Sequence, residues 1–226
     1  QAEVNTKTLV RTLHGKVVGA TKDKKWEMYT ARVEYKKEGD KLISPVKTKL
    51  INKVDKTESE SDRVETTTKF DIITAIGHAK HIDHKEKRTM TADKIIYNNT
   101  TKVTNAEGHV VYIDNKKKRE LRGDKMSYDE VHKTGIAEGH VIYLDNANNR
   151  ELTADRMTYD DVNKIVTAEG HAFYKDKEKN RQLRADKMRF DDKNQVGNAE
   201  GHVIYTDPEN KLTGDKVDYY RKDERI

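Results

Sequence analysis

The sequence predicts an all-β protein made of stacked 31-residue repeats, with two sheets facing each other across a narrow apolar interior. Three observations predict it. Gly77, Gly108, Gly139, Gly170 and Gly201 lie 31 residues apart, each followed by histidine, and Asp93, Asp124, Asp155 and Asp186 keep the same interval. A fixed period of this size marks stacked supersecondary units. Within a repeat, apolar and polar residues alternate with period two and no stretch carries a helical stripe. The alternation then slips by one residue in every second segment. Leu152 and Ala154 are even, Met157 and Tyr159 odd, and Leu121/Met126, Leu183/Met188 and Leu212/Val217 repeat the slip. A slip in mid-strand turns apolar side chains outward unless a bulge or bend re-aims them. We therefore expect a bend at each Asp-Lys/Arg step, carrying each segment from one sheet to the sheet facing it.

The start of the chain carries the period in worn form. Gly15 lies two full periods before Gly77, and Thr30–Tyr35 falls on Ala92–Tyr97 when Tyr35 is set on Tyr97. Asp62-Arg63-Val64 falls on Asp93-Lys94-Ile95, while Val46, preceded by Pro45, takes the place of a glycine. This makes seven repeats, the first two diverged. No Pro-, Gly- or Ser-rich linker interrupts them, so residues 1–226 are expected to form one continuous body, diverged over 1–70 and regular over 71–220. Two strands per repeat at ~4.8 Å spacing give an elongated rod of roughly 65 Å. The turns, such as Asp145-Asn146-Ala147-Asn148-Asn149, are polar and variable, as hairpin tips are.

Composition bounds the function. Charged residues make up 38% and apolar ones 33%, which suits a thin core; the net charge of +5 is too small to hold the chain unfolded. The absence of cysteine excludes disulfides, thiolate catalysis and cysteine zinc sites. No apolar run approaches the ~20 residues of a membrane span, and the polar start at Gln1 is not a signal peptide; either such a segment was removed or it was never there. Lys116-Lys117-Lys118-Arg119 has no aromatic stacking platform beside it, so no nucleic-acid partner is expected; a charged hairpin tip or a phosphate contact explains the run.

Several residue series invite chemistry. The repeated histidines are spread ~9–10 Å apart along the stack and cannot converge on one metal ion, so we expect a solvated ladder with Glu107, Glu138, Glu169 and Glu200. His78, His81, Asp83 and His84 form the one local cluster, but alternation splits His81 from the other two histidines. The aspartates at the bend are expected to accept backbone hydrogen bonds. No nucleophile, base and oxyanion donor come together, so neither enzyme activity nor a cofactor is expected. The Gly-His glycines either keep the interior open or mark a packing kink. The interior itself should be lined by Leu121, Met126, Tyr128, Leu152, Met157, Tyr159, Leu183, Met188, Phe190 and Leu212, with Val110, Val141 and Val203. Methionine suits a surface that accepts variable alkyl chains. An ordinary self-packed core would use the same residues.

The phrases Ala106-Glu107-Gly108-His109-Val110 and Gly123-Asp124-Lys125-Met126-Ser127-Tyr128, with their later copies, resemble the OstA-like repeat of the lipopolysaccharide-transport bridge proteins, the LptA and LptC family. Residues 71–220 are LptA-like. Lys25–Tyr35, with Pro45-Val46, looks more like the inner-membrane-anchored LptC member. Two departures stand out: histidine replaces the usual asparagine after glycine, and the chain is longer than a typical LptA.

The resemblance implies a V-shaped β-jellyroll, open at both ends, whose groove holds lipid acyl chains on the apolar set above. It further implies a non-enzymatic role passing lipopolysaccharide from inner to outer membrane in the periplasm of a diderm bacterium, with a tether upstream of Gln1. The implied partners are the lipid A acyl chains and the jellyroll domains at either membrane. A structural or adhesive β-repeat stalk with a filled core is the competing reading. The final strand, Leu212–Tyr220, has no proline or bulge to block its edge, so end-to-end self-association is expected through it.

Overall fold

In the computed structural model the described residues are 2–5 and 10–220. Seventeen strands and one three-residue 3-10 turn, Glu38–Asp40, make up the regular structure of these residues, as the alternation predicts. The chain divides into two compact units, 1–112 and 113–226.

Unit 1 contains β1 (Ala2–Asn5), β2 (Val10–Ala20), β3 (Trp26–Lys36), β4 (Lys41–Ser44), β5 (Thr48–Asn52), β6 (Thr57–Ser61), β7 (Arg63–Thr67), β8 (Ile72–Asp83) and β9 (Arg88–Asn98). The boundary falls near the end of β10 (Val103–Asp114). The ladders are antiparallel: β1 with β2, β2 with β3, β3 with both β4 and β5, β4 with β7, β5 with β6, and β8 with β6, β7 and β9. The worn repeats are where long segments break in two. Pro45 has no N–H to give to a ladder, and β4 ends just before it.

Hydroxyls take over at that break. Ser44 Oγ donates to Arg32 O at 2.8 Å and Thr48 Oγ1 to Val46 O at 2.7 Å, both side chains being buried. Ser61 Oγ donates to Arg63 O at 2.8 Å where β6 gives way to β7. Trp26, Met28, Val33, Leu50, Val64, Phe70 and Ile73 fill the interior between the two halves of this unit. The Trp26 and Phe70 rings stack at 5.9 Å and 10°.

Unit 2 is more regular. β11 (Arg119–Asp129), β12 (Thr134–Asp145), β13 (Arg150–Asp160), β14 (Ile165–Asp176), β15 (Arg181–Asp191), β16 (Val196–Thr206) and β17 (Lys211–Tyr220) pair antiparallel in chain order. The hairpin tips follow one recipe. An aspartate at the strand end accepts backbone N–H groups two or three residues on, as Asp129 does from Val131 and His132 and Asp176 from Glu178 and Lys179. In every tip but the last, 207–210, a lysine, asparagine or glutamine with positive φ then closes the turn, for example Lys133, Asn149 and Gln195.

Every ladder of unit 2 shifts register at the expected step: Arg122/Lys125 in β11, Thr153/Arg156 in β13 and Arg184/Lys187 in β15. Between β12 and β13, Glu138 faces Arg156 and Val141 faces Ala154, which leaves Gly139 and His140 opposite Asp155 alone. This is a β-bulge, and φ is positive at both bulged residues, 76° and 47°. Only glycine takes the first of these freely, and a Cβ on Gly139 would run into the Asp124 carboxylate. The kink explanation of the Gly-His glycines is therefore the correct one.

The bulges crease each ladder into two halves. Along the inner side of the crease, Ala137, Ala154, Ala168, Ala172, Ala185 and Ala199 pack at 0–6% exposure against Met126, Met157, Met188, Val141 and Val203. Asp62 sits against Gly77 and bonds His78, so the second, worn repeat keeps the same corner.

Candidate functional site: an apolar cavity in unit 2

Away from the crease the two halves of unit 2 border a half-open cavity of about 390 Å³. One wall alternates tyrosine and leucine across neighbouring strands: Tyr143 opposite Leu152, Leu152 opposite Tyr174, Tyr174 opposite Leu183, and Leu183 opposite Tyr205. The other wall carries Val166, Phe190, Val196, Gly197 and Tyr219. The rings of Tyr174 and Phe190 approach to 5.7 Å from opposite halves. Large side chains lie here because the halves are furthest apart here, whereas the crease has room only for alanine, valine and methionine.

The phenols keep the walls neutral. Burial pushes Tyr143 up to about 12; burial, with a hydrogen bond from the hydroxyl to Asp207 at 3.0 Å, pushes Tyr205 up to about 12. Tyr159 is raised for the same two reasons, its hydroxyl donating to Asp161 at 2.6 Å. Two ion pairs stand at the rim. Arg119 lies 3.7 Å from Asp145 and Arg150 3.2 Å from Asp176, and the two carboxylates are 8% and 6% exposed. Each also accepts turn N–H groups, which accounts for charge that would otherwise be costly to bury.

Of the thirteen apolar residues predicted to line the groove, Leu152, Leu183 and Phe190 line the cavity. Met126, Met157, Met188, Val141 and Val203 lie in the crease at 0–7% exposure, and Val110, in unit 1, is 1% exposed. Leu121, Tyr128 and Tyr159 are half-buried outside the cavity lining, and Leu212 is 46% exposed on the last strand. Sequence reasoning passed over Tyr143, Tyr174, Tyr205, Val166 and Gly197. The signal for the tyrosines was present, since Tyr143 has the parity of Val141 and lies two residues further from the bend.

The polar series resolve differently from expectation. The five repeated histidines bond aspartate, not the glutamate ladder: Nδ1 donates to Oδ2 of Asp62, Asp93, Asp124, Asp155 and Asp186 at 2.6–3.1 Å. Positive φ folds each imidazole back toward the preceding strand, where the aspartate lies. The aspartates thus accept an imidazole N–H at the bend in place of the expected backbone N–H. The carboxylate bond raises the pKa of His78 and His202. The glutamates face cations across the ladder, as Glu138 faces Arg156 at 3.2 Å and Glu169 faces Lys187 at 2.8 Å. In the local cluster, His81 is half-buried and bonded to Ser59 Oγ at 2.8 Å, and burial lowers its pKa. Among the described residues no three His, Asp or Glu side chains are placed to share a metal ion, and no helix is long and apolar enough to cross a membrane.

The strands that build this cavity are also the ones that match known proteins. Residues 120–225 match the family model described as LptA/(LptD N-terminal domain) LPS transport protein. These residues, just under half of the chain, are similar to that family. The matched stretch is nearly the whole of unit 2, so the LptA-like reading of the regular repeats rests on the same strands as the cavity. Among solved structures, the chain is similar to the crystal structure of LptH from Pseudomonas aeruginosa, described as the LptA homologous periplasmic component of the conserved lipopolysaccharide transport device. The identity is 16% and the TM-score 0.44, over 50% of this chain and 82% of that one. No curated protein matches the sequence.

Proposed function

We propose that unit 2 carries lipopolysaccharide by its acyl chains, as one span of a periplasmic bridge between inner and outer membrane. The observation that carries this reading is the cavity: about 390 Å³, with leucine, valine, tyrosine and phenylalanine in its walls and the pairs Arg119–Asp145 and Arg150–Asp176 at its rim. Its size is within the range of small-ligand sites, and its walls offer more apolar than polar area. Burial of alkyl chain there gains ~0.8 kcal/mol per methylene. The family match over residues 120–225 supports lipopolysaccharide as the cargo. The bridge reading adds a joint. β17 is exposed along Lys211–Lys216, and a strand edge of this kind takes a further strand from another domain. The stalk reading finds its support in unit 1, whose interior is packed with its own side chains.

Photo-crosslinking of purified protein mixed with lipopolysaccharide tests both parts. A photo-reactive residue at Leu183 or Tyr205 should label lipid, and one at His140 or Glu138 should not. One at Thr213, on the edge strand, should label a second chain. Equal lipid labelling inside and outside contradicts the carrier reading; lack of chain-to-chain labelling at Thr213 contradicts the joint alone.

A further inference from the structure

Unit 2 holds glycines of two kinds. Those of the Gly-His bulges have φ of 76–79° and serve the backbone. Gly197 is different. It lies in the extended part of β16 without positive φ, so the backbone accepts any L residue there. A glycine in mid-strand costs ~0.5–1 kcal/mol relative to alanine, which calls for another reason to have it. That reason is space. Gly197 lines the cavity between Phe190 and Tyr219 on the neighbouring strands, and a Cβ built on it would come within 3.2 Å of Phe190 Cδ1. Gly135 repeats the arrangement two repeats earlier, with its Cβ position 3.4 Å from Tyr128 Cδ2.

The repeat between them breaks the pattern. Val166 stands at the equivalent place, between Tyr159 and Phe190, and also lines the cavity. Close by, the Tyr174 ring leans on Phe190 from the facing half. The wall therefore narrows at Val166 and opens at Gly197, one repeat further on.

We propose that residues 166 and 197 are the specificity determinants of the cavity: Val166, with the Tyr174–Phe190 contact, sets its narrow place, and the missing side chain at Gly197 sets how much alkyl chain it accepts beyond that place. This rests on the reading of the cavity as an acyl-chain site. A side chain at 197 has to push the Phe190 ring into the cavity or enter it itself, and either takes up volume that methylenes of the cargo would fill, so each excluded methylene should weaken binding about fourfold. Removing bulk at 166 should do the reverse.

The experiment is calorimetric titration of the whole chain with saturated single-chain fatty acids of graded length, for the parent, Gly197→Leu and Val166→Ala. For the parent, affinity should rise with chain length to a plateau. Gly197→Leu should bring the plateau to shorter chains, and Val166→Ala should move it to longer ones. Opposite shifts cannot come from general loss of stability, and Val166→Ala stands as a test even if Gly197→Leu folds poorly. A parent that binds with length dependence, and a plateau that stays put in every folded variant, overturns the assignment of these two residues. A parent that binds no chain at all overturns the acyl-chain reading, and this inference with it.

Discussion

Two units of one chain use the same repeat to opposite ends. In unit 1 the space between the halves is filled by Trp26, Met28, Leu50 and Phe70; the hydroxyls of Ser44, Thr48 and Ser61 hold the bend of its worn repeats, and buried Ala75, Ala79, Ala92 and Ala106 lie along its regular strands. In unit 2 the bend is held by an apolar seam of alanine, valine and methionine, and the space beyond it is a cavity. The outer corner is common to both: His78 bonds Asp62 in one unit as His202 bonds Asp186 in the other. The repeat thus specifies the crease, and the residues far from the crease decide whether the interior is closed or open.

The same truncation should distinguish the two. Leu50 is fully buried in the packed cluster, so Leu50→Ala should destabilise unit 1 by about 2–5 kcal/mol, transfer and cavity costs together. Leu183 already borders empty space and is half-buried, so Leu183→Ala should cost about 1–2 kcal/mol. Urea unfolding of each variant, followed by the single tryptophan for unit 1 and by circular dichroism for the whole chain, measures both. Equal losses at the two sites would mean that unit 2 is as tightly packed as unit 1.

The smallest effect concerns the shared corner. Asp62 and Asp186 raise the pKa of His78 and His202 above the usual 6.5, so the imidazolium form gains a partner on folding. The stability this adds is fully present below the unfolded-state pKa and is lost as pH rises through the raised folded-state value. Both side chains are exposed, which keeps the contribution small. By NMR titration, Asp186→Asn should lower the pKa of His202, and Asp62→Asn that of His78. A shift in one unit and none in the other would show that the corner is not shared.

Much of this was legible in the sequence. The interval between aspartates and Gly-His pairs marks the repeats, and the parity change between Leu152 and Met157 locates the bend, because both are local consequences of the pleat. Depth was not legible. Met157 and Tyr159 share a parity, yet Met157 faces Ala137 and Ala168 in the crease, while Tyr159 stands further out between Gly135 and Val166. Parity tells which side a residue faces, but the width of the gap it faces is set by its distance from the bend and by the partner half. The filled core of unit 1 escaped for a related reason: Trp26 and Phe70 come from distant hairpins and meet only across the fold.

The central claim, that cargo enters unit 2 while unit 1 stays closed, is tested most directly by fluorescence quenching with a lipid whose acyl chains carry bromine. Bromine quenches tryptophan only at close range, and the one natural tryptophan, Trp26, is buried in unit 1. The parent protein should keep its emission through a full titration, while Phe190→Trp, which adds a second tryptophan at the cavity wall, should lose the added part of its emission and keep the rest. Quenching of Trp26 in the parent, or an unquenched tryptophan at position 190, would contradict the account.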